Sequence, residues 1–222
     1  MAVSLPQRLA AEAIGAFMLV FAGCGAIVIS AGQDGAISHE GIAASFGLVI
    51  LILIYALGHV SGAHFNPAVT LAFAVARHFE PRDVLPYWLA QVAGALLAAG
   101  LLRALFGNIA SLGSTLPAGS DSDSFILEIV LSFFLMFVIT AVATDSRAVG
   151  QAAAIAIGAT VGLEALFGGP ISGASMNPAR SLAPALVSGQ LASLWIYLVA
   201  PPIGAVLGAL SYDFLRGDHH QP

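Results

Sequence analysis

One twelve-residue stretch is written twice in this chain. Ser61 to Ala72 reads SGAHFNPAVTLA and Ser172 to Ala183 reads SGASMNPARSLA, identical at eight of twelve positions. At the centre of each copy stands the same tripeptide, Asn66-Pro67-Ala68 and Asn177-Pro178-Ala179. Asn-Pro-Ala is a helix start. Asn is a favoured N-cap, Pro fits the first helical position, where its missing N–H is no loss, and Ala continues the helix. A chain that carries this device twice must place two special helix ends, and their surroundings decide which folds remain open.

Those surroundings are lipid. Charged residues make up 9% of the 222 residues and apolar residues 59%, with a mean hydropathy of +0.94, whereas a soluble domain carries roughly 25% charged residues. Six runs are long enough to span a bilayer: Leu9–Ser30, Gly41–Val60, Val84–Leu105, Phe125–Ala143, Ala148–Phe167 and Leu191–Leu210. The first is too long for a signal-peptide core and reads as a retained span. The motif copies lie between the spans, in 61–79 and 168–190. Each holds a helical piece of about ten residues, 66–75 and 177–186, whose length of about 15 Å is half of a hydrocarbon core. These are re-entrant half-helices.

Arg8, Arg77, Arg82, Arg147 and Arg216 fall on one side if the chain crosses six times. By the positive-inside rule that side is the cytoplasm, with both termini inside. Arg103, near the opposite end of the third span, is free to snorkel to the interface. All seven basic residues are Arg and none is Lys, which suits a GC-rich bacterial coding sequence and hence an inner, multi-pass cell membrane location.

The halves repeat beyond the motif. Glu12 to Phe21 (EAIGAFMLVF) matches Glu128 to Phe137 (EIVLSFFLMF), and Trp88-x-x-x-Val92-Ala93 returns as Trp195-x-x-x-Val199-Ala200. Three spans plus one half-helix form each unit, residues 1–112 and 113–222. An odd number of spans turns the second unit upside down, giving an inverted repeat with its special elements near the midplane. The fold class is therefore an all-α membrane bundle of six spans and two re-entrant half-helices.

Inversion brings the two Asn-capped N-termini together from opposite faces. Each carries about half a positive charge, so a pair aimed at one spot repels cations, including hydronium. Asn66 and Asn177 cap their own helices while their amide N–H groups face a passing solute. Broken helix at this depth is tolerated where it is buried in protein or lines a polar cavity. The reading is a pore for small neutral molecules; the plainer alternative is a pair of buried capped helices with no pore. Arg180 stands three residues into the second half-helix, where the first copy has Val69. A cation at membrane depth needs water or a partner, so its stem packs while its head narrows the outer mouth or bonds to outer-loop carbonyls.

Other chemistry is thinly represented. Cys24 is the only cysteine, a small buried residue with no disulfide partner. No basic tract points to nucleic acid, and no nucleophile–base pair, phosphate loop or metal cluster points to an enzyme. His219 and His220 form a short polar tail without metal-site spacing, and no cofactor is expected.

The doubled Asn-Pro-Ala, the flanking Ser-Gly-Ala, Gly58-His59 and Arg180 resemble the aquaporin, or major intrinsic protein, family, over nearly the whole chain. The resemblance implies the right-handed bundle of that family and a homotetramer with one pore per subunit. It also implies that Glu12 and Glu128 bond to the backbone of the re-entrant loops, as paired intramembrane carboxylates do. A constriction of four side chains is implied as well, at Phe46, Ala165, Ala174 and Arg180. Water-selective members generally have His where this chain has Ala165, so this constriction is expected to be wider and less polar, with an aromatic wall opposite an Arg.

Ile54-Tyr55-Ala56-Leu57-Gly58-His59, Gly62-Ala63-His64-Phe65 and the run Gly169 to Met176 (GPISGASM) are similar to the nodulin-like intrinsic proteins and their bacterial relatives. That group implies glycerol, urea, lactic acid and metalloid hydroxides such as arsenous, boric and silicic acids as solutes, beside water. The group commonly has Trp or a small residue at the position of Phe46, and glycerol facilitators typically have Asp where Ser181 stands. Glu164, beside Ala165, either reaches loop N–H groups or pairs with Arg180 and modulates the filter. His59 and His64 are expected to bond to the inner loop, with His64 bordering the vestibule. Two rival functions remain open: a water-selective pore, and a proton-coupled secondary transporter using Glu12, Glu128 and Glu164. A closed, adhesive membrane protein would have little polar surface to work with.

Overall fold

The computed structural model describes residues 3–145, 147–148 and 152–217, which leaves His219 and His220 outside the described residues. Among the described residues all regular structure is helical. Six helices are long and apolar enough to cross a membrane: α1 (Leu5–Gly32), α2 (His39–Ser61), α4 (Val84–Phe106), α5 (Asp121–Thr144), α6 (Ala153–Ser172) and α8 (Leu194–Arg216). Between them stand the short α3 (Pro67–Val75) and α7 (Pro178–Ser188). Their 9 and 11 residues give lengths of about 14 and 17 Å, half of a bilayer core. The order long, long, short, long occurs twice.

Packing repeats with the order. Helix α1 lies on α4 as α5 lies on α8, and α2 packs on α6 to join the halves. At that junction a Cβ on Gly47 would stand 2.6 Å from the Gly158 carbonyl oxygen, and one on Gly158 2.7 Å from that of Gly47. Only hydrogen at both positions lets the two backbones touch, the close approach that small residues give membrane helices. The shell is apolar, with Leu89, Leu97, Ile126 and Leu163 exposed, while Glu12, Gln91, Glu128 and Arg180 are buried. Polar inside and apolar outside is the arrangement lipid selects.

Six crossings bring both described ends of the chain to one face, the terminal face; the other is the distal face. Ion pairs and hydrogen bonds stitch the terminal face. Arg8 of α1 holds Asp83 at the start of α4 at 2.7 Å, and His78, just after α3, meets Asp213 of α8 at 3.3 Å. Arg147 grips Asp145 at 2.6 Å, and the Tyr212 hydroxyl donates to the same carboxylate. The Arg147 guanidinium holds the Asp145 carboxyl well below the usual carboxylate range. On the distal face Arg103 does not extend to the interface alone. It donates to the Val187 carbonyl, placing a cation where α7 presents its unpaired carbonyls.

The fifth span departs from its sequence-based bounds. It starts five residues later than expected and continues through Gly168-Gly169-Pro170 to Ser172. A proline inside a helix removes the N–H that would pair with the carbonyl four residues back. Here that carbonyl belongs to Leu166, and His39 Nε2 lies 2.6 Å from it. A side chain from α2 supplies the bond that Pro170 cannot. The helix then ends on Gly173 with φ 85°, as α2 ends on Gly62 with φ 87°.

Candidate functional site

Each half-helix is preceded by a loop whose backbone L-residues rarely adopt. Ala63 and Phe65 have φ of 52° and 49°, and Ala174 and Met176 have 41° and 53°. Such conformations persist when surrounding bonds hold them, and a buried carboxylate does so in each half. Glu12 accepts from the Ser61 hydroxyl (2.7 Å), the His64 and Phe65 amides (3.0 and 2.7 Å) and the Gln91 side-chain amide (2.7 Å). Glu128 accepts from the Ser172 hydroxyl (2.7 Å) and the Ser175 and Met176 amides (both 2.8 Å). Every contact is a donor, so these two carboxylates act as acceptors for backbone that would otherwise be orphaned inside a membrane.

The two caps are linked. Asn66 Oδ1 accepts from the Ala68 amide at 2.8 Å, and Asn177 Oδ1 from those of Ala179 and Arg180 at 3.0 and 3.3 Å. Each side-chain amide then crosses to the other half: Asn66 Nδ2 donates to the Met176 carbonyl at 2.7 Å and Asn177 Nδ2 to the Phe65 carbonyl at 2.9 Å. This narrows the expectation that the amide N–H groups of each Asn face a solute. One of the two is spent joining the half-helices, because Phe65 and Met176 present carbonyls that the strained loops cannot pair internally. Pro67 and Pro178 take the first helical positions, and Ala68 and Ala179 are buried behind them. Trp88 of α4 donates to the Pro67 carbonyl at 3.0 Å, whereas its repeat counterpart Trp195 stacks on Phe125 and is half exposed.

A cavity of about 300 Å³ runs along these loops from the terminal face, lined by Ile54, Ala63, His64, Asn66, Val69, Ile157 and Asn177 among others. A second, of about 500 Å³, opens on the distal face beside Ile27, His39 and Ser114. Four residues line both: Phe46, Ala165, Ala174 and Arg180. The four positions named from sequence thus form the boundary between the chambers. Arg180 is buried; one guanidinium nitrogen donates to the Gly113 carbonyl at 2.7 Å, and the guanidinium carbon lies 5.0 Å from the centre of the Phe46 ring. The aromatic ring therefore leans on the cation rather than standing opposite it, in cation–π contact. With Ala at the other two positions, nothing larger than a methyl group projects from that side.

Expectations change at Glu164 and His59. Glu164 is buried, and neither carboxylate oxygen has a hydrogen-bond partner among the described residues. It reaches no loop N–H, makes no ion pair with Arg180 and lines neither cavity, so it does not modulate the filter by contact. The reason is register: Ala165 holds the lumen-facing position, and one residue along a helix turns the side chain by about 100°, which sets Glu164 against α5 near Leu135 and Glu128. His59 is exposed at the end of α2 and makes no loop hydrogen bond among the described residues. His64 does border the cavity; its Nδ1 lies 3.1 Å from the Thr70 hydroxyl and its ring packs among Phe73, Phe79 and Tyr87.

Sequence reasoning offered outer-loop carbonyls as partners of the Arg180 head but missed which one, Gly113, because a backbone acceptor in a loop leaves no side-chain signal. It also missed Thr115, whose hydroxyl donates to Ser181 at 2.8 Å; Ser181 in turn lies 2.5 Å from the Ser175 hydroxyl.

Comparison with known proteins follows the same lines. The family model described as "Major intrinsic protein" matches residues 1–212. "Aquaporin NIP1-1" of Oryza sativa subsp. japonica is 52% identical over 219 residues, 97% of this chain and 77% of that one. "Nodulin-26" of Glycine max is 51% identical over 217 residues, 96% of this chain and 80% of that one. Among solved structures, the aquaglyceroporin from Plasmodium falciparum superposes with a TM-score of 0.89 at 23% identity, covering 96% of this chain and 98% of that one; at that identity the likeness speaks for the fold.

Proposed function

The chain belongs to the major intrinsic protein family, and from that premise we propose that its pore passes glycerol and uncharged metalloid hydroxides such as arsenous or boric acid together with water. It is a multi-pass integral membrane protein and a channel for small neutral solutes and water. The observation that carries the finer reading is the boundary between the two chambers. Phe46, Ala165, Ala174 and Arg180 line both, two of the four are methyl-sized, and the aromatic ring is folded against the cation. A trihydroxy solute has oxygens for the guanidinium and an apolar flank for the ring and the methyl groups.

Exclusion of ions is assigned to the joined N-termini of α3 and α7. Their partial positive charges converge where Asn66 and Asn177 line the cavity, which opposes a cation and leaves a neutral dipole free to pass. Glu12 and Glu128 serve as loop supports, since their oxygens are taken by the donors that hold the loops. Transport by a channel rather than catalysis is the role the family points to. The finer organisation is proposed with it: halves at 1–112 and 113–222, a homotetramer with one pore per subunit, and an inner cell membrane with both termini in the cytoplasm. The Arg residues at the terminal face support that orientation.

Stopped-flow light scattering on reconstituted vesicles tests the solute class. Vesicles carrying the protein are expected to shrink rapidly in glycerol and then re-swell, with flux linear in the gradient and independent of a proton gradient. Rapid shrinkage with no faster re-swelling than in empty vesicles would reject the wide constriction.

A further inference from the structure

We propose that Gly23 of α1 is a specificity-determining residue, because it forms the notch that receives the Phe46 ring and so keeps the constriction open. The proposal rests on reading Phe46, Ala165, Ala174 and Arg180 as the filter. Along α1, residues four apart share a face, and Leu19, Gly23 and Ile27 form such a row. Leu19 lines the cavity on the terminal side and Ile27 the chamber on the distal side. Gly23 lies between them, level with the boundary, and carries no side chain there. The Phe46 ring fills the space. A Cβ on Gly23 would stand 2.2 Å from its Cε1, 2.4 Å from its Cδ1 and 2.5 Å from its Cζ.

Those distances are far inside van der Waals contact, so any other residue at 23 forces a displacement. The helix has little room to yield. The next residue, Cys24, has its Cα 3.1 Å from where a Gly113 Cβ would be, and nearer the start of the helix the Ala13 carbonyl lies 2.0 Å from where a Cβ on Gly94 of α4 would stand, so α1 is pressed by α4 and by the segment that follows it. The ring, by contrast, borders open space, since Phe46 lines both chambers. It therefore swings into the lumen and gives up its place beside the guanidinium, 5.0 Å away. A methyl group buried outside the pore wall would thus narrow the pore itself, and it would act on a bulky solute before it acts on water.

The test measures glycerol and water permeability of Gly23→Ala, Phe46→Ala and the double variant in the same vesicles. Gly23→Ala is expected to lower the glycerol-to-water ratio about tenfold, the order produced when one methyl group overfills a tight site. Adding Phe46→Ala should restore it, because the ring is the obstacle. An unchanged ratio in Gly23→Ala, or a loss that Phe46→Ala does not relieve, overturns the notch. If Gly23→Ala does not accumulate as folded protein, the pair is read in a Phe46→Leu background, where a lower ratio with Ala at 23 supports the notch and an equal ratio overturns it. Phe46→Ala alone reports on the filter: should it leave the ratio unchanged, the filter reading fails, separately from the notch.

Discussion

Counted from the shared serines Ser61 and Ser172, the channel carries one set of four positions twice. Near the distal face they hold Phe46, Ala165, Ala174 and Arg180; near the terminal face their equivalents are Ile157, Ile54, Ala63 and Val69, and all eight line the channel. The scaffolds beneath are alike: a carboxylate, a serine, two strained residues, an Asn cap. What differs is the lining. One ring holds a cation and an aromatic ring, the other only aliphatic groups. The parts that need two copies, the opposed helix ends, are thus the parts the halves share, while the selection by size and polarity proposed above falls to residues they do not share. The scaffolds diverge in one respect. Glu12 receives a fourth donor from Gln91, which also reaches the Thr70 hydroxyl at 3.0 Å; the equivalent place in α8 is Leu198, and Glu128 has three donors.

Removing a scaffold carboxylate gives the largest effect. Glu12→Ala leaves four donors without an acceptor and Glu128→Ala leaves three, at about 1–3 kcal/mol for each buried group. Both variants should lose most folded protein in detergent size exclusion, Glu12→Ala more completely; equal losses would mean that Gln91 adds nothing. Next comes Arg180→Val, which makes the distal ring aliphatic like its counterpart. Glycerol flux should rise severalfold and a pH-sensitive dye should report faster proton entry, because the second cationic barrier is gone. If exclusion of protons is undiminished, the half-helix termini suffice alone. Ala165→His works in the opposite direction by adding bulk and donors to the boundary, and it should depress glycerol flux more than water flux.

The smallest effect sharpens the comparison at a silent position. Glu164 occupies the place that Leu53 fills in the first half, fully buried. Replacing an unpartnered buried carboxylate by the leucine its twin already uses should raise the thermal midpoint by about 2–4 °C for each kcal/mol recovered. Permeability should stay constant across pH. A pH-dependent flux that Glu164→Leu abolishes would return this residue to the transport mechanism.

The span count, the half-helices and their inversion were legible because lipid imposes length and apolarity, and because Asn-Pro is a start signal independent of context. The ends of spans were less so. Pro170 reads as a stop, yet α6 continues past it because His39, 127 residues before Leu166 in the chain, satisfies the Leu166 carbonyl. At the site, the resemblance to the aquaporin family located the four boundary residues but not their mutual geometry. Nothing in the sequence says that Phe46 lies on Arg180, or that Gly23 makes that possible, since both facts depend on how α1 and α2 pack. Glu164 misled for a related reason: adjacency to Ala165 in sequence is not adjacency on a helix.

The crossed amides of Asn66 and Asn177 also set an order of events. The Asn66 side chain finds its acceptor on Met176, 110 residues later, and the Phe65 carbonyl waits for Asn177, 112 residues later. The first half can insert its three spans as it is made, but the mouth of α3 stays unfinished until the second loop arrives from the other face. Closure over so long a separation is slow compared with helix formation. In a growing chain the passage is thus the last region to be completed, and a protein truncated before Met176 would possess membrane spans without a finished conduit.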